Sequence, residues 1–115
     1  MEDSCIFCKI ARGELNTRFI FESDKLLAFR DINPQAPTHV LIIPKEHIAR
    51  IDQLTDSNSE LAGKMVLAAN AIAKQENISK NGYRLVFNCG PDGGQEVDHI
   101  HLHLFGGRRM TWPPG

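Results

Sequence analysis

The sequence has almost no excess charge of either sign, because its 115 residues carry 13 Lys and Arg against 14 Asp and Glu. The net charge is -1, so no broad basic surface is available to neutralise the phosphates of DNA or RNA. Long apolar runs are also missing, and no stretch approaches the roughly 20 residues that a transmembrane helix requires. We therefore expect neither a nucleic-acid partner nor a membrane partner.

Cysteine is scarce as well, with three residues in the chain. An odd number of cysteines does not match the paired disulfide framework of a small secreted domain. The start of the chain shows no basic region followed by an apolar stretch, which is the pattern of a secretory leader. These absences predict a cytoplasmic protein whose cysteines are free thiols or metal ligands.

The remaining composition is that of an ordinary globular protein, with 42% hydrophobic and 23% charged residues. A chain of this length fits one domain and can bury roughly two-thirds of its unfolded surface. No internal repeat or linker divides it. We therefore predict a single domain over residues 1–115.

Periodicity and turn residues predict an α+β domain with an antiparallel sheet. Apolar residues spaced by four, three and four positions predict a long amphipathic helix at 57–76, which Ser57 and Glu60 would begin as a capping box. A short helix at 5–12 would end at Gly13 in the left-handed conformation. Runs rich in β-forming residues predict strands at 18–22, 25–31, 38–43, 83–88 and 98–105.

Two of these strand predictions carry further detail. Ser23 and Asp24 separate the first two strands by the spacing of a tight hairpin. Residues 40–43 read VLII without alternation, which predicts that this strand is buried on both faces of the sheet.

The last strand carries His99, His101 and His103, which alternate with aliphatic residues. Successive side chains of a strand point to opposite faces, so the three imidazoles share one face. Solvated polar residues on a half-exposed strand would not need three histidines. Two chemical interpretations remain: the histidines chelate a metal such as zinc that activates water, or one neutral imidazole is a nucleophile whose tautomer its neighbours fix.

A glycine-rich loop at 90–94 stands directly before this strand and favours the second interpretation. Its backbone N–H groups can converge on an anion, and Gln95 adds a side-chain donor. An anion-binding loop beside a nucleophilic histidine predicts phosphoryl or nucleotidyl transfer.

Motifs along nearly the whole chain point the same way. They read CIFCKI at 5–10, FRDI at 29–32, PQAPTH at 34–39, IPKEHI at 43–48, GGQ at 93–95, the histidine triad at 99–103, GGRRM at 106–110 and WPPG at 112–115. Together they resemble the histidine triad (HIT) nucleotide-binding proteins, and specifically the Hint branch. The resemblance implies a HIT-like fold with a five-stranded antiparallel sheet, one long and one short helix, and a homodimer that extends the sheet.

The resemblance also implies a function: a purine nucleoside phosphoramidase that hydrolyses the P–N bond of AMP- or GMP-type phosphoramidates. The reaction would pass through a covalent nucleotidyl-histidine and require no cofactor. The alternative is a nucleotide-binding regulatory module in which hydrolysis is incidental.

The resemblance assigns roles to individual residues. His101 would be the nucleophile, and His103 would contact the phosphate and assist the leaving group. His99 would support the His101 ring, while His39 would orient the nucleophile. The implied nucleotide contacts are Asp31 and Ile32 at the ribose, Phe7, Ile10, Leu15 and Phe29 at the base, and Asn88, Gly94, Gln95 and Glu96 at the phosphate.

Glu96 departs from the pattern of animal family members, which carry serine at that position. A carboxylate repels a phosphate, so the substrate preference stays open while the reaction type does not change.

Cys5 and Cys8 are three positions apart on the predicted first helix, which places two thiols on one face. In some family members a Pro-x-x-His histidine and the first triad histidine complete a zinc site, and His47 and His99 hold those positions here. The resemblance thus implies a possible structural zinc, and two reduced thiols are the alternative.

Overall fold

The structure is a computed structural model that describes residues 4–115. The prediction that the start of the sequence is not a secretory leader includes residues 1–3, which lie outside the described residues. Within residues 4–115, no helix is both long and apolar enough to cross a bilayer. The helices and strands are α1 (Ile6–Ala11), β1 (Phe21–Glu22), β2 (Leu26–Arg30), β3 (Thr38–Pro44), α2 (Ser59–Gln75), β4 (Tyr83–Phe87) and β5 (Leu102–Gly106), with short 3-10 turns at Ile51–Gln53 and Asp56–Asn58.

The strands form one five-stranded sheet in the order β1-β2-β3-β5-β4. Every neighbouring pair is antiparallel, so the predicted α+β fold is confirmed. The pairing of β3 with β5 sets Leu41 opposite His103 and His39 opposite Phe105. It therefore brings His39 beside the triad across 60 residues of sequence.

The two faces of the sheet bury two separate hydrophobic cores, and β3 contributes to both. Val40 and Ile42 pack in the core beneath α2, whereas Leu41 and Ile43 pack in the core beneath α1. The prediction that the VLII run is buried on both faces is confirmed. The α1 face also carries Phe7 and Phe29, which line the cavity described below.

The regular part of the last strand is shorter than predicted, because β5 begins at Leu102. The segment before it does not join the ladder, since the backbone N–H of Ile100 donates to the carbonyl of Ile48 at 2.7 Å. The predicted alternation nevertheless holds. Ile100, Leu102 and Leu104 lie in the core beneath α2, so the histidines between them face the other side.

The hairpin between β1 and β2 is shifted by one residue from its predicted place. Ser23 and Leu26 form the closing pair: the Ser23 N–H donates to the Leu26 carbonyl at 2.9 Å, and the Ser23 hydroxyl accepts from the Leu26 N–H at 3.2 Å. The two loop residues are therefore Asp24 and Lys25. The hydroxyl of Ser23 adds a side-chain hydrogen bond that favours this register.

The long helix is found where predicted, but a different pair begins it. The capping box is formed by Thr55 and Asn58 around the 3-10 turn that leads into α2, and the Thr55 N–H donates to Asn58 Oδ1 at 3.0 Å. The box predicted at Ser57 and Glu60 is wrong, because the chain already turns at Asp56–Asn58. Gly13, after α1, has a φ of +78°, as predicted.

We expect Thr55→Ala to lower the free energy of unfolding by about 1 kcal/mol, because it removes the side chain that caps the turn. Ser57→Ala should cost less than about 0.5 kcal/mol, since it removes only an exposed hydroxyl contact. Urea denaturation of both variants measures the difference. A greater loss for Ser57→Ala would contradict the observed cap.

Candidate active site and metal centre

A cavity of about 610 Å³ opens on the α1 face of the sheet. His39 lines it, and so do all of the nucleotide contacts implied by the resemblance except Gln95: Phe7, Ile10, Leu15, Phe29, Asp31, Ile32, Asn88, Gly94, Glu96, His101 and His103. The fold therefore gathers residues from both ends of the sequence into one pocket. His99 is fully buried behind it.

One end of the cavity is apolar and built from aromatic rings. Phe7 meets Phe29 edge to face at a centroid distance of 5.7 Å and meets His101 in the same way at 5.1 Å. Ile10 is buried beside them, and Ile32 is wholly exposed at the cavity's edge. Such walls suit a flat, apolar ring system.

The ring of His101 is held by a backbone carbonyl. Its Nδ1 lies 2.8 Å from the carbonyl oxygen of His99. A carbonyl only accepts hydrogen bonds, so Nδ1 must carry the proton of the neutral ring. The lone pair of His101 is then on Nε2, and the ring lines the cavity. The support that the resemblance assigned to His99 comes from its main chain.

The ring of His103 has the opposite tautomer. The backbone N–H of Gln35 donates to Nδ1 of His39 at 3.1 Å, so the proton of a neutral His39 is on Nε2. That nitrogen lies 2.9 Å from Nδ1 of His103, which therefore accepts. The proton of His103 is left on its Nε2. His39 thus acts on His103 and not directly on His101, which corrects the role implied by the resemblance.

Burial keeps these rings neutral, as the hydrogen-bond chain requires. It lowers the pKa of His103 to about 4, and the neighbouring His101 and His39 contribute in the same direction. Burial also lowers the pKa of His39, an effect that the Asp31 carboxylate partly offsets from 3.4 Å. At pH 7 His103 is therefore an uncharged donor.

The side chain of Gln95 does not face the cavity. Its Nε2 donates to the carbonyls of Ala49 at 2.7 Å and Val97 at 2.9 Å, and its Oε1 accepts from the N–H of Gly90 at 3.0 Å. The prediction of a side-chain donor for an anion is wrong, because all these groups are used inside the protein. Gln95 instead anchors the glycine-rich loop.

Backbone donors of the same loop are also engaged. The N–H groups of Gly94 and Gln95 donate to the carbonyls of Pro91 and Gly90, both at 3.0 Å. These bonds make a compact turn that uses both donors inside the loop. Gly94 still contributes to the cavity wall.

Phe105 is a cavity residue that the sequence reasoning missed. Its ring stacks on His103 with an interplanar angle of 2° and meets His39 at a centroid distance of 4.2 Å. The signal was present in the sequence, because Phe105 continues the alternation of the triad by one more step. Gln35, which lines the cavity and donates to His39, was missed because its contribution is a backbone N–H.

A second cluster lies behind the cavity, at Cys5, Cys8, His47 and His99. The ligand atoms all lie within 4.8 Å of one another, and the recorded distances from Sγ to Nδ1 are 3.2, 3.4 and 3.5 Å. A tetrahedral zinc with ordinary bond lengths holds sulfur and nitrogen ligands about 3.5 Å apart. The donor set and its spacing therefore fit zinc.

The surroundings of His99 also fit a metal ligand. Its Nε2 lies 2.8 Å from the carbonyl of Pro44 and must donate to it, which leaves the lone pair on Nδ1 facing the thiols. Burial lowers the pKa of His99 to about 4, so the ring is neutral. Burial also raises the pKa of the Cys5 thiol; the hydrogen bond from the Cys8 backbone N–H opposes this rise, and the Cys8 side chain adds to it. A divalent cation would reverse that shift.

The interpretation of the triad as a set of ligands to one metal does not match the geometry. His99 faces the cysteines, while His101 and His103 face the cavity. Asp31, His39 and His103 do form a close group. However, the 2.9 Å between the two imidazole nitrogens is an N–H···N hydrogen bond, shorter than the roughly 3.3 Å between two nitrogens on a tetrahedral zinc.

Comparison with known proteins agrees with this architecture. The chain is 46% identical over 110 residues to the purine nucleoside phosphoramidase of Escherichia coli K12, covering 96% of this chain and 92% of that one. It is 48% identical over 118 residues to the 14 kDa zinc-binding protein of Zea mays, covering 100% and 91%. The crystal structure of a HIT family hydrolase from Legionella pneumophila Philadelphia 1 has a TM-score of 0.95 at 59% identity, covering 97% and 100%.

The model of the HIT domain matches residues 12–110, which is most of the chain. The resemblance drawn from the sequence motifs is thereby confirmed, and the chain belongs to the HIT domain family.

Proposed function

We propose that the protein is a purine nucleoside phosphoramidase that cleaves the P–N bond of AMP- or GMP-type phosphoramidates. The observation that carries the proposal is the pair of opposite tautomers at His101 and His103, whose ring centroids are 4.9 Å apart. One ring offers a lone pair and the other an N–H donor. A phosphate group needs both at once, a nucleophile for phosphorus and a donor for oxygen.

In the proposed first step, Nε2 of His101 attacks phosphorus while the P–N bond breaks. The amine nitrogen, having taken a proton from solvent, leaves as a neutral amine. The nucleotidyl-histidine then carries a positive imidazolium ring, whose Nδ1–H donates to the carbonyl of His99 as a charge-assisted bond. His103 stabilises the phosphate oxygens or the leaving nitrogen through its Nε2–H.

In the second step, water attacks phosphorus and the bond to His101 breaks. The electron pair returns to Nε2, the nucleoside monophosphate leaves, and the proton released by water replaces the one consumed in the first step. His101 regains its starting tautomer because its proton has stayed on Nδ1 throughout, hydrogen-bonded to the His99 carbonyl.

The remainder of the cavity suits a purine nucleoside. Phe7, Ile10, Leu15 and Phe29 form the walls for the base. Asp31 is a carboxylate at the same cavity and can accept hydrogen bonds from two ribose hydroxyls. Glu96 is exposed and borders this cavity. It also borders a second cavity, which Cys5 and His47 line. Its charge disfavours substrates with an anionic leaving group.

We expect His101→Ala to lower kcat by more than about 10³-fold, since a nucleophile cannot be replaced by its neighbours. AMP affinity should change little, because the base and ribose contacts remain. Steady-state assays with an adenosine phosphoramidate and calorimetry with AMP measure the two effects. Turnover of the variant within about tenfold of wild type would contradict the nucleophile. Wild type that binds AMP without hydrolysing the phosphoramidate would support the regulatory-module alternative.

We further propose that Cys5, Cys8, His47 and His99 hold a structural zinc ion. Bound there, zinc would neutralise the thiolates and tie α1 to the segment that precedes β5. It would leave the reaction to the histidines of the cavity. Reduced thiols are required for such a site, and all three cysteines are free, which supports a reducing compartment such as the cytoplasm.

Purified protein should contain close to one zinc per chain. Cys5→Ser should reduce the metal content and lower the midpoint of thermal unfolding, because ligand loss removes binding free energy that stabilises the fold. Cys89→Ser is the matched control, since Cys89 is a free cysteine outside the cluster. Elemental analysis that finds no metal in protein prepared without chelators would contradict the site.

We also propose a homodimer that pairs the β4 edges of two chains. Within residues 4–115, β4 has a strand partner only on its β5 side, and an open edge of this kind invites another strand. The C-terminal tail lies beside that edge, because Arg84 of β4 donates to the carbonyl of Thr111 at 3.0 Å. Trp112 follows with 82% of its surface exposed. A partner chain would cover it.

Deleting residues 112–115 should change the preference among leaving amines, because in the dimer the tail would reach the partner's cavity. The expected change in the ratio of kcat/KM between a bulky aromatic amine and a small one corresponds to about 1–3 kcal/mol at most. Light scattering checks that both proteins are dimers. An unchanged ratio in a dimeric variant would show that the tail does not contribute to the site.

A further inference from the structure

The tautomer of His103 depends on a loop that has no regular secondary structure. Gln35 donates its N–H to His39 from the segment at 32–37, which lies between β2 and β3. Contacts within this region are few: Gln35 Nε2 donates to the Asn33 carbonyl at 3.1 Å, and the Asn33 N–H donates to Asp31 at 2.9 Å. The position of the Gln35 backbone therefore depends on groups from elsewhere in the fold.

Those groups come from the two residues that follow β5. Arg108 donates to the Gln35 carbonyl through Nη2 at 2.9 Å and through Nε at 3.3 Å. Its Nη1 donates to the carbonyl of Arg109 at 3.2 Å, which orients the guanidinium plane. Gly107 packs against Pro37 so closely that a Cβ would lie 2.8 Å from the proline Cβ. The loop is thus held at two points by one turn.

Arg108 does not line the cavity, so its contacts with Gln35 are not substrate contacts. They join a chain of hydrogen bonds that leads there: Arg108 to the Gln35 carbonyl, the Gln35 N–H to His39, and His39 to His103. A planar guanidinium with two donors on one carbonyl restrains that carbonyl in direction as well as distance. Holding residue 35 in this way also holds its N–H on the His39 ring.

We propose that Arg108 is a positioning residue that sets the tautomers of His39 and His103. Without its hold on Gln35, Nδ1 of His39 loses a fixed donor, and His39 is free to carry its proton there. The Asp31 carboxylate, 3.4 Å from Nε2, still favours a proton on that nitrogen, so only a fraction of the molecules switches. In that fraction Nε2 of His39 accepts, and His103 donates from Nδ1 and presents a lone pair to the cavity. Two lone pairs would face the phosphate in place of one lone pair and one N–H.

This proposal rests on the proposed function for its kinetic consequence but not for its structural one. In Arg108→Ala we expect kcat for an adenosine phosphoramidate to fall about tenfold, a part of what acid–base groups contribute. KM should change less than about twofold, because the nucleoside contacts are not altered. Arg108→Lys keeps the charge and one donor and should recover part of the loss.

The structural consequence is measured directly on the substrate-free, metal-loaded protein by long-range nitrogen–proton NMR of the imidazoles. Wild type should show His39 and His103 protonated on Nε2. Arg108→Ala should show a mixture of tautomers at both rings. Arg109→Ala is the matched control, because it removes the same charge from the neighbouring exposed position, and it should leave both the spectra and kcat unchanged.

The two measurements separate the possible failures. Unchanged tautomers in Arg108→Ala would overturn the proposal, even if kcat fell through a general loss of stability. If Arg108→Ala shows altered tautomers but the wild-type protein has no phosphoramidase activity, the positioning role of Arg108 is supported and the proposed function is rejected. If Arg108→Ala does not fold, Arg108→Lys decides: it overturns the proposal if both its tautomers and its kcat equal those of wild type.

Discussion

The hydrogen bond from His101 to the carbonyl of His99 joins the cavity to the cluster of Cys5, Cys8, His47 and His99. His99 is fully buried, and its ring is fixed between the Pro44 carbonyl and the two thiols. Its main chain therefore has little freedom. The same restraint reaches His101, because the carbonyl that accepts from Nδ1 belongs to this fixed residue. The residue that fixes the tautomer of the His101 ring is thus itself held by the Cys/His cluster.

The opposite tautomer of His103 is fixed by a residue of the neighbouring strand β3. Pairing of β3 with β5 brings His39 next to Phe105 and His103. The loop before β3 supplies the N–H of Gln35, which donates to His39 and so starts the series of hydrogen bonds that ends at His103. The rings of His101 and His103 are neighbours, with centroids 4.9 Å apart, yet their protons are fixed by different parts of the fold. This independence allows one imidazole to be an acceptor and the next to be a donor in a neutral state.

The larger hydrophobic core and the cavity lie on opposite faces of the sheet. The core beneath α2 is built from aliphatic residues and buries the residues that alternate with the histidines. The face beneath α1 combines a smaller apolar core with the cavity and the Cys/His cluster. Buried polar rings are costly unless their hydrogen bonds are satisfied. In the part of the chain that the structure describes, no buried side-chain nitrogen or oxygen lacks a partner.

The sequence determined the features that depend on local period and composition. The alternation at 99–103 predicted one face of histidines, the VLII run predicted a strand buried on both sides, and the spacing of apolar residues predicted α2. Each of these follows from backbone geometry that repeats every two or every 3.6 residues, so a single segment contains the whole signal. The family motifs then supplied the residues of the cavity.

Only the tertiary structure decided where hydrogen bonds between distant segments go. Gln95 was predicted to face an anion, but its amide bonds the carbonyl of Ala49, which is 46 positions away. His39 was expected to act on His101, yet its partner is His103, 64 positions away. A neutral imidazole has two tautomers of similar energy, and the choice between them depends on the group that each nitrogen meets. No local pattern contains that information, because the groups meet only when the sheet has formed.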